Sequence, residues 1–114
     1  MEFNQYNTTV QQWIHTVLEN RETNADVVLE CCRDIIAYGR ETDDPKLIGF
    51  GCFYGGEIYY GLNDGEHFFH MMTEALTYLD RAEEWELVVR CYNYLGIASM
   101  SRGNPSIALD YYMN

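Results

Sequence analysis

The stretch YNYLGIASMSRGNPSIALDYY, Tyr92 to Tyr112, decides how the whole chain is read. Apolar and small residues return every three or four positions as far as Met100, where Ser101, Arg102, Gly103, Asn104 and Pro105 interrupt them. Gly103 can end a helix in a left-handed conformation and Asn104 can cap the next one. Pro105 suits a first helical turn, because a backbone donor there has no partner to lose. Two helices joined by a tight turn follow from this spacing.

The same recurrence runs back through most of the chain, and strict alternation is rare. Val10, Trp13, Ile14, Val17 and Leu18 form one stripe, which predicts a helix from Thr8 to about Glu19. Asn24 would cap a second helix carrying Val27, Val28, Cys31, Cys32, Ile35 and Ile36 and ending near Arg40. Asp44-Pro45 opens a third, running to about Leu62. Gly49, Gly51, Gly55, Gly56 and Gly61 oppose that helix, since each costs up to about 1 kcal/mol relative to alanine. A strand over GFGCFYGGEIYYG is therefore the competitor. It fails because Phe50, Phe53, Tyr54, Glu57 and Ile58 suit helix faces and no hairpin partner is apparent. Beyond the LNDG break, a fourth helix reads through EHFFHMMTEALTYLDRAEEW with Phe68, Met71, Met72, Ala75, Leu76 and Leu79 on its inner side. Glu84 or Glu86 lies near the start of a fifth, bearing Leu87, Val88, Cys91, Tyr92, Leu95 and Ala98. The expectation is an all-α chain of about six helices, built as antiparallel hairpins.

At 114 residues the chain suits one domain, and 47% hydrophobic with 22% charged residues is a globular composition. A net charge of −11 disfavours nucleic-acid backbones and anionic membrane surfaces, because no basic field exists to replace their counterions. The opening MEFNQYNTTVQQW carries neither the basic nor the apolar segment of a secretory signal. Nor does any run of about 18 apolar residues point to a membrane-spanning helix. Cys31, Cys32, Cys52 and Cys91 show no CxxC spacing, so the simplest reading is reduced thiols in the cytoplasm. No phosphate-cradling loop is present, and no cofactor is expected.

Tyr92, Leu95 and Gly96, followed by Ala108 and Tyr112, resemble the tetratricopeptide repeat pattern. In that family an aromatic and a Leu-Gly pair lie on the first helix, with a small residue and an aromatic on the second. Gly96 and Ala108 would mark the close crossing of the two helices. A shift of 40 residues finds a second copy, with Gly56 at the Gly96 place, Phe68 at Ala108 and Met72 at Tyr112. Asp80 departs from the pattern, standing where the family has its closing proline. Units of about 9–48, 49–88 and 89–114 result, longer than the usual roughly 34 residues and with the last one incomplete. Such long helical repeats resemble the N-terminal sensory segments of bacterial signalling proteins, including those fused to diguanylate cyclases. The resemblance implies a stacked α-α superhelix and a non-enzymatic interaction or sensory module. The interrupted last unit implies further chain or a neighbouring molecule.

Positions matched to the first helix of each repeat would line a partner-binding groove: Phe50, Phe53, Glu57 and Tyr60, then Arg90, Asn93, Ile97 and Met100. An aromatic wall with one acid and one base suits an amphipathic peptide or protein segment. The plainer alternative gives several of these aromatics to the core. A homodimer through the C-terminal helices is another expectation, since an incomplete array leaves an apolar end face. His67, His70 and Glu74 share one helical side and form a lesser, metal-binding alternative. The cysteines lie on apolar stripes, where an inert buried thiol is the common outcome.

Overall fold

The structure, a computed structural model, describes residues 1–101. Five helices follow one another: α1 (Thr8–Asn20), α2 (Ala25–Glu41), α3 (Pro45–Gly61), α4 (Gly65–Arg81) and α5 (Trp85–Ser101). No strand occurs among the described residues. The helix expected from Pro105, the Gly103-Asn104 turn and the Gly96–Ala108 crossing lie outside the described residues.

Side chains at the helix starts explain where the elements begin. Asn7, Asn24, Asp44 and Asp64 each accept a hydrogen bond from the backbone N–H three residues on, satisfying a donor that the first turn leaves open. From α2 onward the helices start 20 residues apart, and the same turn joins them each time. Asp43, Asn63 and Glu83 adopt positive φ of 53°, 59° and 58°. The N–H of the next residue then bonds back into the finished helix, from Asp44 to Gly39 O at 2.8 Å, from Asp64 to Tyr59 O at 3.0 Å and from Glu84 to Leu79 O at 3.0 Å. Asp44 and Asp64 thus close one helix and cap the next. The fourth helix stops at Arg81 rather than running on to Trp85, because this turn at Ala82–Glu84 cuts it.

Packing runs between chain neighbours, α1 on α2, α2 on α3, α3 on α4 and α4 on α5. That nearest-neighbour pattern is the mark of a helical array, here 43 × 28 × 20 Å in extent. Residues 48/49 and 88/89, where the sequence units were divided, fall inside α3 and α5, just past the turns.

Central α3 has neighbours on both sides, and its glycines make this possible. A Cβ built on Gly51 would lie 3.0 Å from the Cys32 carbonyl oxygen of α2. One on Gly49 would lie 2.7 Å from Leu79 of α4. The helical penalty of glycine is therefore offset by close approach on two faces, and the strand alternative is excluded. Around this helix Leu47, Phe50, Phe53, Ile35, Phe68, Met72, Leu79 and Leu95 are fully buried.

Candidate functional site

Glu57 joins three separated elements. It projects from α3 toward Arg21, at the C-terminal end of α1, and toward Arg90 and Tyr94 on α5. Arg21 donates from Nε to Oε1 at 2.8 Å and from Nη2 to Oε2 at 2.6 Å. Arg90 Nη2 and the Tyr94 hydroxyl donate to the same Oε2 at 3.1 and 2.7 Å. The carboxylate is thus held by four hydrogen bonds, three of them charge-assisted by a guanidinium. Each arginine also lies over a ring, Arg21 over Tyr54 at 5.1 Å and Arg90 over Phe53 at 4.8 Å.

The surroundings tune these groups. Burial alone would lower the Arg21 guanidinium, but the charge and hydrogen bonds of Glu57 outweigh it and raise it above its ordinary value. Burial first, then the hydrogen bond to Glu57 and its charge, push the Tyr94 hydroxyl up. Tyr94 therefore stays a donor well into alkali. Beside the cluster, Tyr60, Arg90, Asn93, Tyr94 and Ile97 line an open cleft of about 340 Å³. Tyr60, Phe53 and Phe68 each meet the Tyr94 ring edge-on or tilted, which fixes its orientation.

The eight groove positions fall into three groups. Glu57, Tyr60, Arg90, Asn93 and Ile97 come together at the cluster and its cleft. Phe50 and Phe53 are buried, at 1% and 0% exposure, and do not line that cleft; Phe50 borders a second, smaller one. Met100 is exposed on α5 and does not line the cleft. Sequence reasoning missed Arg21, Tyr54 and Tyr94. Tyr94 carried a signal, since the 40-residue shift that aligns Gly96 with Gly56 also aligns Tyr94 with Tyr54. Arg21 carried none, lying in the NRETN break.

Other candidates resolve differently. His67 stacks on Tyr59 and meets Asp64 at 2.8 Å, while Glu74 pairs with Arg40. His70 Nε2 stands 3.7 Å from Glu74. Among the described residues no three His, Cys, Asp or Glu side chains gather as a metal-holding group. All four cysteines are unpaired, with Cys32, Cys52 and Cys91 buried and Cys31 partly so. Burial is the first cause that lifts every one of these thiols above its ordinary value, to about 12 for Cys52 and Cys91. Such thiols are poor nucleophiles at neutral pH.

Fold and site together define an all-α array of neighbour-packed helices with an ion-paired cleft where α1, α3 and α5 meet. No family model matches the chain, and no curated protein or solved structure matches it either. No helix among the described residues is long and apolar enough to cross a membrane.

Proposed function

We propose that this chain is a non-enzymatic recognition module of the tetratricopeptide-like kind, holding an amphipathic protein segment on the α1/α3/α5 face. The observation that carries this reading is the Glu57 cluster. From α3 it draws two arginines and a tyrosine, supplied by the C-terminal end of α1 and by α5, into fixed positions beside an open cleft. Preorganised arginine and aromatic side chains are what peptide recognition rewards, because little side-chain freedom is lost on binding. Exposed Leu18, Tyr60 and Ile97 add apolar surface. The same reading makes the chain the sensory or interaction part of a bacterial signalling regulator, a step supported by the repeat pattern of Tyr92, Leu95 and Gly96 alone. A cytoplasmic setting suits its four unpaired cysteines.

Panning a random-peptide library on the immobilised full chain tests the reading. Peptides enriched on the wild type should lose about tenfold or more in affinity for Tyr60→Ala, with circular dichroism checking that the variant keeps its helices. Peptides that bind wild type and variant alike would contradict it.

A second reading, self-association through α5, is favoured by Trp85, Val89 and Met100, exposed by 56%, 57% and 56%. Light scattering over a concentration series decides it. A rising mass supports association, and a constant monomer mass rejects it.

A further inference from the structure

Phe50 is buried although the sequence assigns it to the groove, and beside Tyr54 a second ring that lies against it comes from the chain's own first residues. The Phe3 ring meets Phe50 edge-on at 5.2 Å between centroids. Lys46, at the start of α3, bonds the Glu2 carbonyl and sits 5.0 Å from the Phe3 ring and 5.9 Å from that of Tyr6. Burial first, then the neighbouring Asp44 carboxylate, push the Tyr6 hydroxyl above its ordinary value. Met1 and Phe3, with Leu18, Phe50, Tyr54, Leu87 and others, wall a cleft of about 210 Å³ that reaches Arg90. Arg90 also borders the larger cleft beside Tyr60, so the two spaces adjoin.

The hold on this segment is slight. It belongs to no helix, and Met1, Glu2, Asn4 and Gln5 are exposed, leaving Phe3 and Tyr6 as its half-buried anchors. A segment held by two rings, one lysine and the Gln11 amide on the Tyr6 carbonyl, without a regular hydrogen-bond ladder, opens at small cost compared with the helices behind it.

We propose that Met1–Tyr6 is a displaceable strap that docks at one end of the α1/α3/α5 face and competes with any segment binding there. The inference rests on the recognition reading of that face. It also states what the face accepts at this end: an extended segment with an aromatic residue placed on Phe50 and a backbone carbonyl offered to Lys46.

The test uses a fluorescein-labelled peptide with the sequence of residues 1–7, titrated into the full chain by fluorescence anisotropy. In the wild type the tethered strap is present at high effective concentration and excludes the free peptide. The full-chain variant Phe3→Ala removes the anchoring ring and should bind the peptide about tenfold or more tightly than the wild type. Tyr6→Ala should behave the same way, which keeps the test decisive if circular dichroism shows Phe3→Ala to be misfolded. Equal affinities for wild type and variants, or no saturable binding to the variants, overturns the strap. Library-selected peptides separate this inference from the recognition reading. If they depend on Tyr60 yet bind wild type and Phe3→Ala equally, the strap fails and the recognition reading stands. If the strap peptide binds the variants more tightly while no library peptide depends on Tyr60, the strap stands and the recognition of foreign segments fails.

Discussion

Helices α3 and α5 have the same length, begin 40 residues apart and follow the same turn, yet they live in different surroundings. In α3, Gly49 and Gly51 face neighbouring backbone too close for a larger side chain, and Gly55 lies against the Met71 side chain. The corresponding places on α5 hold Val89, Cys91 and Leu95, of which Cys91 and Leu95 are buried and Val89 is 57% exposed. Small residues thus mark a helix pressed from two sides, and large apolar residues mark one with a side still accessible. The Glu57 cluster bridges the two helices, so the tightly held one positions the more accessible one.

Alkali should have the largest effect, because it attacks both helices at once. Cys52 on α3 and Cys91 on α5 are raised from an ordinary value of 9.0 to about 12, burial being the first cause. A group raised in the folded state contributes stability that is fully present below its unfolded value and is lost as pH rises through its folded value. Tyr94 and Tyr6, raised above 10.0, act in the same direction. Urea midpoints should therefore fall steadily from about pH 9 toward pH 12; a flat profile would contradict these burials.

Next in size comes the comparison made literal. Gly51→Val forces atoms into the α2 backbone and should cost about 3 kcal/mol in urea unfolding. Val89→Ser, at the accessible side of α5, should change stability by about 0.5 kcal/mol or less. Similar values for the two would erase the distinction between the helices. Glu57→Ala removes the bridge and leaves two guanidinium groups side by side over aromatic rings. Because those groups keep some contact with water, the expected loss is about 2 kcal/mol. A smaller and opposite effect than that of Gly51→Val or Glu57→Ala concerns the turns. Glu83 is a poor residue for positive φ compared with Asp43 and Asn63, so Glu83→Gly should raise the unfolding free energy by about 1 kcal/mol.

Helix starts were legible because capping is local. Asn24 and the Asp44-Pro45 pair announce their helices within four residues of sequence, and both act as expected. The end of α4 was not legible, since nothing in Arg81-Ala82-Glu83-Glu84 has the glycine that usually signals a left-handed turn. The site divides along the same line. Glu57 and Arg90 could be read from matched positions on two helices. Phe50 and Phe53 could not be assigned to core or groove, because α3 is apolar nearly all round and periodicity marks no single inner face. Arg21 reaches Glu57 across 36 positions of chain, a contact made by helix packing rather than by any local pattern. The strap was hidden for the same reason. Phe3 and Tyr6 carry no pattern of their own until Phe50 and Lys46 are placed beside them.

Amide chemical-shift mapping of the isotope-labelled full chain during titration with a library-selected peptide tests the recognition claim most directly. The expected result is a set of changes confined to Phe3, Arg21, Tyr54, Glu57, Tyr60, Arg90, Tyr94 and their near neighbours, saturating together. Changes centred instead on α2 and α4, around Cys31, Arg40 and Tyr78, would contradict the assignment of the binding face.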